Sequence, residues 1–202
     1  MTSGKNIVIV NTGCANIASV KFAVERLGMQ VTVSEDTAVI KKADKVFLPG
    51  VGSANAAMAS IEQKNLSQCI QSLTQPVLGI CLGMQLMVDA SEESLQESTL
   101  CLGLIPGQVK RMQVGDLRLP HMGWNTVSKV DDAPLFKGID DNSYFYFVHG
   151  FAVEVAEFTM AVCQYGRDFS AAIHKDNFFG VQFHPERSSD AGAQLLKNFI
   201  EL

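Results

Sequence analysis

Clustered cations are missing from this sequence: there is no run of lysine and arginine, and the formal net charge is -5. A nucleic-acid backbone needs a concentrated basic face, so nucleic acid is not expected as a partner. Lys41 with Lys42, and Lys110 with Arg111, read as solvated pairs. Long apolar runs are missing too, and none reaches the roughly 20 residues of a membrane span. Ile7–Val10 is too short for a span and lacks a cleavage segment after it, so it reads as a strand. No membrane contact and a cytoplasmic location are the expectations. There is no Cys-x-x-Cys pair, and five cysteines cannot all pair within one chain. Cysteine and histidine do not fall at zinc-ligand spacing either. No disulfide framework, metal or cofactor is therefore expected. Four of the cysteines read as small buried hydrophobes, and Cys81 stands apart because of its neighbours.

What is present suits an α/β enzyme. The 202 residues are 47% hydrophobic and 18% charged, enough for one sizeable core. No repeat, linker or low-complexity block divides residues 1–202, which read as a single domain. The compact β-branched run Ile7–Val10 and the short segments Val31–Val33, Val46–Leu48 and Val77–Ile80 predict strands. Val20, Ala23, Val24 and Leu27 recur at helical spacing before Gly28. Met58 to Leu73 predicts one or two helices, and Leu82 to about Ala90 a further one. Strands alternating with helices predict a largely parallel sheet covered on both faces. After Leu104 the rhythm changes. Residues 107–115 and 125–130 read as irregular structure and short strands. Further strands are predicted at 144–148, 160–164, 171–173 and 178–183, and an amphipathic helix at 190–202.

Gly79-Ile-Cys-Leu-Gly83 follows a buried-looking strand and precedes a helical stretch. A nucleophile on such an elbow points out of the carboxyl end of the sheet, and flanking glycines relieve crowding at the turn. The Leu82 backbone N–H can face an oxyanion. The elbow alone does not choose between esterase, peptidase and amidase chemistry. His184 and Glu186, in Phe183-His-Pro-Glu186, end a late hydrophobic run. The imidazole can take a proton from Cys81 and the carboxylate can orient it. On an extended segment, two-residue spacing puts both side chains on one side. Pro49-Gly-Val-Gly52 follows another short strand and could supply further oxyanion N–H groups. It is not a phosphate-binding loop, and residues 12–16 fail the dinucleotide-binding glycine pattern. His121 and His149 read as structural or interfacial, and His174 as part of a solvent-facing turn.

With these motifs on the page, the chain resembles the class I, triad-type glutamine amidotransferases over essentially its whole length. The landmarks are Pro49–Gly52, Gly79-Ile-Cys-Leu-Gly-Met-Gln85, Pro120-His-Met-Gly-Trp-Asn125, Tyr146-Phe-Val-His149 and Gly180-Val-Gln-Phe-His-Pro-Glu186. The resemblance implies a three-layer Rossmann-like α/β fold with a mostly parallel central sheet and added antiparallel strands. It implies hydrolysis of L-glutamine through a thioester on Cys81, with His184 as base and Glu186 as its orienting carboxylate. Gly50, Val51 and Gly52 match the family's mobile oxyanion strand, and Gln85 matches a glutamine-binding residue. Within the family, the likeness is to subunits that pass ammonia to a (βα)8-barrel cyclase partner in histidine biosynthesis. That partner converts the ribulosyl nucleotide PRFAR to imidazole glycerol phosphate and AICAR. Asn11, Asn16, Met122, Trp124, Asn125 and Arg187 match regions that face or adjoin it. Two departures are Asn11-Thr-Gly-Cys-Ala-Asn16, where many relatives carry Asp-Tyr-Gly-x-Gly-Asn, and Gly150, where many carry Ser. A peptidase or deglycase on a similar scaffold, and a non-catalytic binding module, are the competing readings.

Overall fold

A computed structural model describes residues 4–13, 16–94, 98–130 and 132–202. Cys14 and Ala15, inside the departing N-terminal segment, lie outside them. Alternation begins at once: β1 (Ile7–Val10), α1 (Ile17–Arg26), β2 (Val31–Ser34), α2 (Thr37–Lys41), β3 (Lys45–Gly50), α3 (Ala54–Gln63) and α4 (Ser67–Gln71). Then come β4 (Val77–Cys81) and α5 (Leu82–Gln85). Local chemistry sets several of these ends. Asp36 accepts from the Ala38 N–H at 2.7 Å and starts α2, and Ser53 accepts from Ala56 to start α3. Gly28, at φ +81°, follows the end of α1.

The second half is built of strands. β5 (Ala90–Ser91), β6 (Thr99–Leu100), β7 (Gln108–Arg111), β8 (His121–Lys129), β9 (Ser143–His149), β10 (Phe151–Val153), β11 (Thr159–Tyr165), β12 (Arg167–Lys175) and β13 (Phe178–Val181) precede α6 (Ser189–Glu201). One nine-stranded sheet runs β2-β1-β3-β4-β13-β12-β11-β8-β9, and a four-stranded sheet runs β10-β7-β5-β6. In the large sheet β2, β1, β3, β4 and β13 are mutually parallel. The pairs from β13 out to β9 are antiparallel.

The parallel strands bury both faces, as continuous apolar runs require. Ile7, Ile9 and Phe47 pack on one side with Val20 and Val24 of α1 and Leu195 and Phe199 of α6. Val8, Val10, Val46 and Leu48 pack on the other with Ile61 of α3 and Ile70 of α4. The two sets alternate along each strand because successive side chains leave opposite faces.

The helix expected from Leu82 to about Ala90 stops at Gln85. The following carbonyls have other partners: Leu86 accepts from Leu102, Met87 from Leu104 and Ile105, and Val88 from Gly103. Ala90 and Ser91 then pair with β6 and β7. The segment 125–130, expected as irregular structure and short strands, lies mostly in one long strand, β8, nine residues paired with β9 and β11. Among the described residues no helix is long and apolar enough to cross a membrane.

Candidate active site

β3, β4 and β13 are neighbours and parallel, so their carboxyl ends share one edge of the sheet. Register pairs Gly50 with Cys81 across β3 and β4, and Ile80 with Val181 across β4 and β13. Cys81 is the last residue of β4, and His184 comes three residues after the end of β13. The two therefore meet although they are far apart in the chain. Cys81 has φ +54° and ψ -112°, a region that costs a non-glycine residue about 1–3 kcal/mol. Close packing holds the elbow in place. A Cβ at Gly83 would stand 1.7 Å from the Leu48 carbonyl oxygen, so only glycine lets α5 lie against β3.

His184 and Glu186 do pair, but not on an extended segment. β13 ends at Val181, and Pro185–Arg187 form a 3-10 turn. That turn brings His184 Nδ1 to 2.8 Å from Glu186 Oε1, leaving Nε2 for Cys81. The His184 N–H donates to the Tyr146 carbonyl at 2.8 Å. The Glu186 side chain is 1% exposed, and its Oε2 is buried without a hydrogen-bond partner. Burial works against a proton on His184. Hydrogen bonds to Cys81 and Glu186, and their charges, outweigh it and raise the imidazole to about 10. The other described cysteines sit in apolar surroundings without such a partner. Burial pushes Cys101 up to about 11 and Cys163 up to about 12, each with a nearby aspartate adding to it, and burial also raises Cys69. Of the described cysteines, all of them free thiols, Cys81 is the one beside an imidazole.

A cavity of about 260 Å³ opens over this edge and takes in Cys81, His184, Val51, Gly52, Leu82 and Gln85. Gly50 lies beneath it in β3, opposite Cys81. Gln85 is buried, and its Nε2 donates to the Phe151 carbonyl at 3.0 Å and to Gln182 Oε1 at 2.8 Å. Asn16 and Arg187, expected toward a partner, line the same cavity. Arg187 holds its guanidinium 5.1 Å from the centre of the Tyr146 ring. Asn11 Oδ1 accepts locally from the Gly13 N–H. Met122 and Trp124 are 68% and 52% exposed on β8. Trp124 sits opposite Tyr146, with ring centroids 6.0 Å apart. Asn125 is half-buried, and its Nδ2 donates to the Gln164 carbonyl and to His121 Nε2.

Sequence reasoning gave no role at the site to three residues, Glu93, His149 and Gln182. Glu93 lines the cavity; burial raises its carboxyl, against a hydrogen bond from the Ala54 backbone. In the sequence it is one of two adjacent glutamates with no motif around them. His149 also lines the cavity. Gln182 is fully buried and places Nε2 3.7 Å from Cys81 Sγ. Its one signal was its position two residues before His184. No cluster of three or more metal-binding side chains occurs among the described residues.

A family model described as Glutamine amidotransferase class-I matches residues 8–202. The chain is 56% identical over 214 residues to imidazole glycerol phosphate synthase subunit HisH of Colwellia psychrerythraea, covering 100% of this chain and 95% of that one. It is also 56% identical over 201 residues to the HisH subunit of Vibrio cholerae, covering 98% and 99%. Among solved structures, the fold is similar to a glutamine amidotransferase at TM-score 0.73 and 15% identity, covering 96% of this chain and 97% of the other. It is similar to PurLQS from Thermotoga maritima at TM-score 0.71 and 17% identity, covering 98% and 99%.

Proposed function

The chain belongs to the class-I glutamine amidotransferase family, and from that premise we propose that it is the glutaminase subunit of an imidazole glycerol phosphate synthase. It hydrolyses L-glutamine and supplies ammonia for histidine biosynthesis. The observation that carries this reading is Cys81, strained on its elbow, sharing a cavity with an imidazole oriented by a buried carboxylate.

In the proposed reaction the Cys81 thiolate attacks the carboxamide carbon of glutamine. A protonated His184 donates from Nε2 to the departing nitrogen, which leaves as ammonia. Water then attacks the thioester, His184 takes its proton, and glutamate departs as the Sγ–carbon bond breaks. Glu186 keeps the imidazole in one orientation throughout. The raised proton affinity of His184 suits the acid role in the first half of the cycle. Oxyanion donors come from the Leu82 N–H, the first of α5, and from the Val51–Gly52 segment across the cavity. Losing one such donor costs about 3–4 kcal/mol in barrier. Gln85 holds the substrate, and Glu93 suits its α-ammonium group by charge.

The partner is a (βα)8-barrel cyclase, and the β8–β9 hairpin suits docking. Met122, Trp124 and Tyr144 are exposed there, a concentration of aromatic and methionine surface that protein interfaces favour. Arg187 and Tyr146 connect this face to the cavity rim, which makes a short route for ammonia. Alignment of the Val51–Gly52 donors when the cyclase carries its nucleotide would limit wasted ammonia. Equal glutaminase rates for free chain, complex and nucleotide-loaded complex would rule that control out. The decisive experiment mixes the purified chain with the cyclase and its ribulosyl nucleotide. Glutamine-dependent formation of imidazole glycerol phosphate, lost in Cys81→Ala, is the expected result; product formed equally by Cys81→Ala ends the reading.

A further inference from the structure

The sulfur of Cys81 is touched from a side the triad does not use. Gln182 Nε2 lies 3.7 Å from Sγ, and Gln182 is fully buried. An amide could present either nitrogen or oxygen there, so its orientation must come from elsewhere. The Phe151 carbonyl supplies it. A carbonyl only accepts, so Gln85 must point its Nε2 at Phe151, at 3.0 Å. The second N–H of that Nε2 then meets Gln182 Oε1 at 2.8 Å. With its oxygen so engaged, Gln182 has only N–H groups to offer the sulfur.

The same carbonyl orders a second arm. His149 Nδ1 lies 2.8 Å from the Phe151 oxygen and must donate to it. A neutral His149 therefore accepts at Nε2, and His121 Nδ1 donates there at 2.9 Å. His121 Nε2 in turn accepts from Asn125 Nδ2. Both rings must be neutral for this pattern. Burial pushes His121 down to about 4 and His149 down to about 3, where the His121 and His184 charges and the Phe151 bond also act. His121 stacks on Tyr165 at 4.0 Å between centroids, and Phe147 and Phe169 close around both imidazoles.

We propose that Gln182 stabilises the Cys81 thiolate by donating to its sulfur, and that His149 and His121 are positioning residues that hold the Phe151 carbonyl from which this donor takes its direction. The inference deepens the glutaminase reading and rests on Cys81 being its nucleophile. A hydrogen bond to the charged form of a group favours that form, so Gln182 lowers the pH at which the sulfur becomes reactive. The relay ends at Asn125, next to exposed Trp124. The thiolate's donor is thereby tied to the hairpin proposed to meet the cyclase.

The test measures the pH dependence of Cys81 alkylation by iodoacetamide in the full-length chain, followed by mass spectrometry of the Cys81 peptide. The other titratable and charged groups lining the cavity are His184, His149, Glu93 and Arg187. All four are unchanged in the Gln182 variants. Gln182→Met keeps the length of the side chain and removes the donor, and its midpoint should rise by about one pH unit. Gln182→Glu puts a carboxylate at the sulfur and should raise it further. The glutamine kcat should fall about tenfold in Gln182→Met, with a smaller change in KM. His149→Leu should shift the midpoint in the same direction, and His149→Asn, which can still donate to Phe151, should restore most of it. A wild-type midpoint in both folded Gln182 variants overturns the role of Gln182. A wild-type midpoint in His149→Leu overturns the relay. Alkylation needs neither glutamine nor partner, so either result leaves the glutaminase reading to be judged separately by turnover in Cys81→Ala.

Discussion

The two halves of the large sheet treat buried histidine in opposite ways. At the end of the parallel half, His184 sits between a thiol and a carboxylate, and its proton affinity rises to about 10. In the antiparallel half, His121 and His149 face each other across β8 and β9 among aromatic rings, and their affinities fall to about 4 and 3. Burial acts in the same direction in both places. The difference is a negative partner, present at one site and absent at the other. One imidazole is thus prepared to carry a proton, and the other two to pass hydrogen bonds without charge.

Removing the sulfur should divide the halves most sharply. Cys81→Ala is expected to lower glutamine hydrolysis by roughly four orders of magnitude or more, while its thermal midpoint and cyclase affinity stay near wild type. Ammonia release, calorimetry and a binding titration check this, and appreciable hydrolysis by the variant breaks the division. The reverse case is Phe147→Ala. Phe147 is fully buried against Phe183 and Phe169, and its loss should cost about 3–5 kcal/mol in denaturant unfolding. A loss below 1 kcal/mol would show that the antiparallel half is not tightly packed.

The pH dependence of stability sharpens the contrast. The folded-state affinity of His184 is raised from 6.5 to about 10. Its contribution is complete below pH 6.5 and is lost as pH rises toward 10. His121 is lowered from 6.5 to about 4, and His149 to about 3. Their neutral forms cost nothing above pH 6.5, and stability falls as pH drops below it, because the unfolded chain takes up protons first. Glu186→Gln should shift the alkaline loss to lower pH and reduce turnover about 10- to 100-fold, leaving the acid side unchanged. Matching shifts on both sides, followed by unfolding across pH 3–11 (about the span of these affinities), would mean that the two sites are not independent.

Smaller effects belong to the outer surfaces. Trp124→Ala should weaken cyclase binding by about 2 kcal/mol with little change in unfolding, because the ring is half exposed. An unchanged dissociation constant would move the docking face away from the hairpin. Ser53→Ala, which removes the cap of α3, should cost about 1 kcal/mol, measured in urea, without touching glutamine turnover.

Much of the parallel half was legible in the sequence. Ile7–Val10 and Val77–Ile80 are short apolar runs, and such runs suit buried parallel strands. Cys81 announced itself through flanking glycines at a strand end, and His184 through its spacing from Glu186. The antiparallel half was less readable. β8 runs through Gly123 and alternates exposed Met122 and Trp124 with buried or half-buried His121 and Asn125, a pattern that blurs the apolar signal. α5 stopped early because the loop at 102–105 takes its next carbonyls, and no local propensity records a partner fifteen residues away or more. Gln182 and Glu93 were missed for the same reason, since neither residue type carries chemistry until its neighbours are known.

The sequence by itself determined the alternating α/β order, the elbow that carries Cys81 at a strand end, and the close spacing of His184 and Glu186. These follow from short-range patterns: strand period, turn glycines and neighbouring side chains. Only the tertiary structure decided that His184 reaches Cys81, that a 3-10 turn sets its carboxylate, and that a carbonyl at Phe151 orients the amides and imidazoles around the sulfur. Such facts depend on which strands lie side by side, and strand pairing is settled by burial and hydrogen-bond satisfaction over the whole sheet rather than by any one segment.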